Sequence, residues 1–369
     1  EVVTNDRPRI DYTDTSDGVL LLEKAATNLI AYSEAFDNAY WTKSGSSVVG
    51  GFSAPDGTNN AYKLVEDTSN AMHRIYQGTS NASKTLSFYA KADGRTWVSV
   101  LSILGGFSYF DIGNGVLGTI ESSSVGTIEA VGNNGWYRCT LYNGHSTNGA
   151  YIGLSYANNI SEYQGDGTSG VYIYGAMLEQ NSVASSYIPT QGSATTRVAE
   201  TASGSGNSEV FNDSEGVLFV DTATLQEGVT EKIISLSDGT TSNNIYFSFS
   251  GAANTIFGLV VSGGSTQASL STTVSQIQPN KLLIKYKSND ISFWLNGFKV
   301  GFDTSANTPS GLKNLSFSYP TNAINFYGKT KEIGYYNTIL TDLELETLTS
   351  YKSWTSMVNE LNLNIIYNG

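Results

Sequence analysis

Gly135-Trp136-Tyr137-Arg138-Cys139-Thr140, Gly165-Asp166-Gly167-Thr168-Ser169-Gly170-Val171-Tyr172-Ile173-Tyr174-Gly175 and Tyr187-Ile188-Pro189-Thr190 all fall in one stretch, Gly135 to Thr190. They are short aromatic and β-branched runs cut by glycine-rich turns, which is the pattern of antiparallel strands. None of them carries a catalytic constellation. Outward from that stretch, His73–Gln77, Thr85–Ala92, Trp97–Leu104 and Tyr109–Leu117 alternate apolar and polar residues and end at Gly- or Asn-rich turns. About eight to ten such strands in about 170 residues predict a sandwich or jelly roll, because a sheet of that size curls or splits into two layers.

Composition agrees and closes several function classes. The chain has 369 residues, 40% hydrophobic and only 14% charged, where about 25% charged is usual. The length predicts two or three domains. A formal net charge of −13 excludes phosphate-backbone binding, which needs clustered Lys and Arg, and disfavours anionic membranes. No apolar run approaches the roughly 20 residues of a membrane span, and no signal peptide is visible. One cysteine and two histidines rule out a disulfide framework and a zinc set. Cys139 alternates with Tyr137 and Leu141 and reads as a small buried hydrophobe.

Taken in order, residues 1–26 read as a lead-in or docking segment, with Val19-Leu20-Leu21-Leu22 a buried strand or short docking run. A first domain spans 27–200. Thr201 to Ser208 is Thr-Ala-Ser-Gly-Ser-Gly-Asn-Ser, so 201–215 reads as a flexible linker. A second β-domain follows over 216–349. There Asn296-Gly297 is a two-residue hairpin turn that pairs Leu295 with Phe298, Phe293 with Val300 and Ile291 with Phe302, leaving Trp294 opposite Lys299 on a wet face. Thr341-Asp342-Leu343-Glu344 is a capping box that starts a short helix. The tail 350–369, with Trp354, Met357 and Leu361, reads as packing on its own domain or, in preference, on a neighbouring subunit.

The residues from Val19 through Trp41, Ala54-Pro55-Asp56-Gly57-Thr58, Gly135-Trp136-Tyr137-Arg138, and Gly165 through Thr190 with Thr196-Arg197 resemble a domain of tailed-phage structural proteins. These are tail fibres, tailspikes and related appendages, and the domain is similar to jelly-roll carbohydrate-binding modules. Lys281 to Lys287, Trp294-Leu295-Asn296-Gly297 and Tyr335 through the capped helix resemble the concanavalin A-like, laminin G-like sandwiches. The expected fold is therefore all-β: a jelly roll, then a concanavalin A-like sandwich, with one short C-terminal helix. The resemblance implies a virion-surface protein, in a tail or head appendage. Its implied partners are other virion proteins and a host-surface glycan or polysaccharide. Such appendages are symmetric homo-oligomers, here expected as a trimer. No cofactor is expected. Within the same analogy, Glu34 and Asp37 are candidates for half of a structural calcium site, with Tyr174 standing where a second acid would complete it.

Catalysis finds no support in the residues. Glycoside hydrolysis needs two carboxylates across a cleft, and the one dense acidic cluster, Asp342, Glu344 and Glu346, falls on the capped helix. Gly153-Leu154-Ser155-Tyr156-Ala157 lacks the closing glycine of a nucleophile elbow and sits in a strand pattern. The sequence thus reads as non-enzymatic. Sugars stack their C–H patches on aromatic rings while polar side chains bracket the hydroxyls. On that basis Arg74, Trp97, Tyr109, Tyr151, Tyr156, Tyr163 and Trp294 are the candidate glycan-binding residues. Arg74 would read an acidic sugar. The leading function is host attachment as a tail fibre or tip component. The alternatives are a purely structural virion protein, such as a head decoration, head fibre or tail-assembly protein, and a polysaccharide depolymerase.

Overall fold

The computed structural model describes residues 9–13, 16–101, 106–228, 232–252, 254–321 and 323–350, with the side chains of 79–84 and 144–148 left aside. The expected tail contact at 350–369 lies almost wholly outside them. The described residues are all-β apart from one helix, and the chain forms two compact units, one centred on Ala25–Val198 and one combining Val3–Lys24 with Ala199–Gly369.

Two long strands organise the first unit. Arg74–Asp93 and Trp136–Ser155, of 20 residues each, pair antiparallel at both ends, with register shifts between Tyr142 and Gly149. At one end the order is Thr42–Ser44, Arg74 onward, the end of Trp136–Ser155, Trp97–Leu101, Phe107–Asp111 and Val116–Leu117. At the other end it is Ser124–Val131, Trp136 onward, the end of Arg74–Asp93, Gly170–Glu179, Ala61–Glu66 and Ser46–Phe52. His73–Gln77 and Thr85–Ala92, which read as separate strands, thus lie at the two ends of one strand that crosses between the layers of a jelly roll. Ile75, Val98, Phe110, Ile152 and Leu154 of one layer pack with Phe88, Cys139, Leu141 and Ile173 of the other in a single core. Burial pushes the Cys139 thiol well above its ordinary pKa, as expected of an inert packing residue.

The second unit is a sandwich of a seven-stranded and a five-stranded sheet. Its core includes Leu218, Phe247, Ile284 and Phe293. Two expectations are corrected here. Val19–Leu22 is a strand of the seven-stranded sheet, paired with Gly328–Tyr336, with Leu22 buried in that unit's core and Leu20 packed against it. The Arg9 guanidinium fastens the segment to Glu23 at 2.5 Å and Glu200 at 2.7 Å. The Gly/Ser stretch is no free linker: Ser205 bridges to Leu315 and Phe211 is buried against Tyr335. Glycine is required there, since a β-carbon on Gly206 would lie 2.3 Å from the Phe211 ring.

The hairpin starts as expected, with Leu295 opposite Phe298 and Trp294 opposite Lys299, and then slips by one residue. Phe293 faces Gly301 and Ser292 faces Phe302, so a bulge turns Val300 toward the core and leaves Phe302 exposed. Bulges of this kind are common at sheet edges, and Phe298–Asp303 is an edge strand. The face of Trp294 is likewise not wet. Trp294 is 4% exposed and packs with Val217, Phe219, Leu283 and Leu345 beneath the helix Asp342–Thr349.

Candidate functional site

Strand alternation in the first layer sends Ile75, Ile152, Leu154, Val98 and Phe110 into the core and their neighbours outward. Register then collects those neighbours. Arg74 stands opposite Gly153, Gly153 opposite Ser99, and Ser99 opposite Tyr109. One row away Tyr76 faces Tyr151 and Leu101 faces Phe107. On the other side Ser155 faces Trp97 and Trp97 faces Asp111.

Four of the sequence candidates, Arg74, Trp97, Tyr109 and Tyr151, therefore share one sheet face. Tyr109 and Tyr151 are buried in its floor, whereas Arg74, Tyr76, Trp97 and Phe107 are half-buried. The Phe107 ring lies 6.1 Å from Tyr109 and 6.0 Å from Tyr151. The Arg74 guanidinium lies 5.2 Å from the ring centroids of both Tyr76 and Tyr151, within cation–π range. Tyr151 Oη and Arg74 Nη1 both donate to the Met72 sulfur, at 3.7 and 3.8 Å. Gly153 makes this packing possible, because a β-carbon there would lie 2.8 Å from Ser99 Oγ and 2.9 Å from the Tyr151 ring.

Three buried polar atoms on this face have no hydrogen-bond partner: Arg74 Nε, Ser99 Oγ and Ser155 Oγ. Ser99 and Ser155 are 0% exposed. Buried polar groups are otherwise almost always satisfied, by protein or by ordered water. The one carboxylate of the face, Asp111, is bonded within its own turn by the backbone of Gly113 and Asn114 and the side chain of Asn114. The Tyr151 hydroxyl stays protonated, since burial raises its pKa more than Arg74 lowers it.

Tyr156 and Tyr163 lie elsewhere. Their rings stack at 5.8 Å with the Arg95 guanidinium over both. Tyr163 donates to Glu66 at 2.7 Å, and Arg95 grips both oxygens of the same buried carboxylate at 2.8 and 2.5 Å. Glu66 also accepts from the Asp166 amide at 2.8 Å, so Tyr163 is a structural member of a satisfied network and is withdrawn as a ligand contact. His73, fully buried beside it, faces the carbonyls of Gly45 and Tyr163 at 2.6 and 3.1 Å. Tyr156 is 60% exposed but belongs to this network. Trp294 is withdrawn because the helix covers it. Its Nε1 donates to Ser292 at 3.0 Å, with Lys299 5.2 Å over its ring.

Glu34 and Asp37 do not form a calcium site with an acid on the last strand. Glu34 Oε1 accepts from Tyr174 at 3.1 Å and from Tyr187 at 3.0 Å, while Asp37 accepts from Tyr62 at 2.9 Å. The Tyr174 hydroxyl also meets Asp56 at 2.8 Å, so a phenol stands between the Glu34 and Asp56 carboxylates. Among the described residues no group of three His, Cys, Asp or Glu could hold a metal.

Sequence reading missed Met72, Tyr76, Ser99, Phe107, Gly153 and Ser155. Tyr76 was available from its two-residue spacing to Arg74. The others needed the pairing of three strands.

No family model and no curated protein matches the chain. Solved structures with partial likeness include the CBM40 of a Ruminococcus gnavus IT-sialidase, at 16% identity over 40% of this chain and 94% of that one, with a TM-score of 0.34. A putative carbohydrate-binding protein from Bacteroides ovatus matches at 10% identity over 76% of this chain and 80% of that one, TM-score 0.30. Domains LG4-5 of the mouse laminin α1 chain match at 11% identity over 90% and 93%, TM-score 0.28. Likenesses this weak carry no conclusion about a ligand, and the fold stands on the strand register above.

Proposed function

We propose that the first unit is a carbohydrate-recognition module whose ligand lies on the outer face formed by Arg74, Tyr76, Trp97, Phe107, Tyr109 and Tyr151. The observation that carries this reading is the coincidence, on that face, of an aromatic surface with three buried polar atoms that lack partners. Aromatic rings accept the C–H patches of a pyranose, and fixed hydroxyl and guanidinium groups select its oxygens. A non-enzymatic role fits the same residues, since Asp342, Glu344 and Glu346 are exposed on a helix. There Asp342 pairs with Lys299 and Glu344 caps the helix, so this acidic cluster offers a depolymerase no carboxylate pair in a cleft.

The wider setting, a phage virion surface protein that attaches to host glycans as an oligomeric tail fibre or tip component, is supported by the sequence resemblance alone. A purely structural virion role is the second reading. It is favoured by Phe298 and Phe302, 69% and 68% exposed on the edge strand of the second unit, since exposed apolar edges mark contacts with other chains. A glycan array and a host-cell binding assay on the full chain separate the two. Saturable binding that weakens about tenfold or more in Trp97→Ala and Tyr76→Ala is expected. A well-folded chain that binds no glycan and no host cell would sink the recognition reading.

A further inference from the structure

Arg74 differs from the other half-buried arginines whose contacts are resolved. Arg9 holds Glu23 and Glu200, and Arg95 holds Glu66 through two bonds. Arg138 donates to the Ser185 carbonyl at 2.6 Å and to Ser87 at 3.1 Å. Among the described residues Arg74 meets no carboxylate and no carbonyl; its Nη1 donates to the Met72 thioether at 3.8 Å and its one oxygen neighbour is the Tyr151 hydroxyl, while its Nε, like those of Arg9 and Arg138, is buried without a partner. A guanidinium carries five N–H donors and no acceptor. Holding one half away from water without a charged acceptor is costly, and a phenol hydroxyl and two tyrosine rings offset only part of that.

Tyr76 and Tyr151 both lie against the cation, and a guanidinium fork matches a carboxylate in its plane. A second donor converges on the same place, because Tyr151 Oη points at the Met72 sulfur that Arg74 Nη1 also meets. Sulfur is a weak acceptor; a carboxylate oxygen put there would take both donors. Ser99 Oγ, over Gly153, and Ser155 Oγ lie on the same face.

The geometry points to a carboxylate-bearing sugar as the ligand of this face, with one carboxylate oxygen displacing the Met72 thioether to accept from Arg74 and Tyr151. This rests on the saccharide reading and specifies its ligand class. It also explains how a chain of net charge −13 can take an anion: the anion is read at one desolvated cation rather than drawn by the overall field.

The test is calorimetric titration of the full chain with oligosaccharides bearing uronic or nonulosonic acids, their carboxyl-reduced counterparts, and sulfated oligosaccharides. The acid form should bind, with affinity reduced about 10- to 100-fold by carboxyl reduction, by Arg74→Gln and by Tyr151→Phe, the range for a hydrogen bond to a charged group. Arg74→Lys, which keeps the charge and loses the fork, should lose most of that affinity. Met72→Ala removes the competing sulfur and should bind more tightly, a gain that a destabilised fold would not produce. Equal binding of acid and reduced forms, indifferent to Arg74→Gln, overturns the carboxylate assignment while the saccharide reading stands. Preference for sulfated ligands overturns it too. Absence of binding to every saccharide overturns both.

Discussion

Single side chains in the first unit show how burial and partnering decide what a residue is for. Arg95 and Tyr163 look as ligand-ready in sequence as Arg74 and Tyr151, yet the Glu66 carboxylate takes up both. Glu179 shows burial acting on a carboxylate. It accepts from Ser185 N at 2.8 Å, Asn181 Nδ2 at 3.0 Å and Ser185 Oγ at 3.1 Å, yet burial outweighs those bonds and raises its pKa. The folded chain therefore holds this proton more tightly than the unfolded chain. The resulting stability is complete below the unfolded carboxyl value of about 4.3 and is lost as pH rises through the higher folded value. Glu179→Gln keeps the acceptor for Ser185 N without the buried charge. Its denaturation midpoint should match the wild type near pH 4 and exceed it near pH 7; a gain that is the same at both pH values would contradict the assignment.

At the scale of elements, the helix Asp342–Thr349 is short and owes its place to two devices. Thr341 caps it and Glu344 reaches back to the Thr341 amide at 2.8 Å, while Leu345 buries itself beside Trp294. Thr341→Ala should cost about 1 kcal/mol. Leu345→Ala should cost about 2–5 kcal/mol and shift Trp294 emission to the red as water reaches the ring. If Leu345→Ala leaves stability and emission unchanged, the helix does not cover that face. The long strands make the complementary point. Arg74–Asp93 serves both layers of the jelly roll, so one element carries part of the candidate site at one end and core residues such as Phe88 at the other.

At the scale of the whole molecule, chain order and structural membership disagree. The strand Val19–Leu22 completes the sheet of the second unit although the first unit intervenes in sequence. A fragment of residues 25–198 should fold cooperatively by itself. A fragment of residues 199–369 should melt below the corresponding transition of the full chain, because the Gly328–Tyr336 strand loses its neighbour and the core loses Leu22. Equal melting temperatures would show that the N-terminal strand contributes nothing.

Alternation, turn residues and the capping box by themselves determined the all-β class, the burial of Cys139, the Asn296-Gly297 turn and the helix start, because each depends on neighbours within a few residues. Four of the seven proposed binding residues, Arg74, Trp97, Tyr109 and Tyr151, could be picked from local chemistry, although nothing local says that they meet. Tertiary structure decided the rest. Which aromatic is covered depends on what packs over it, and the helix over Trp294 comes from a distant segment. Whether an arginine is satisfied depends on a carboxylate that only folding brings near. Gly153, Ser99 and Ser155 acquire meaning only when three strands align, since register is a property of pairing and not of any one strand.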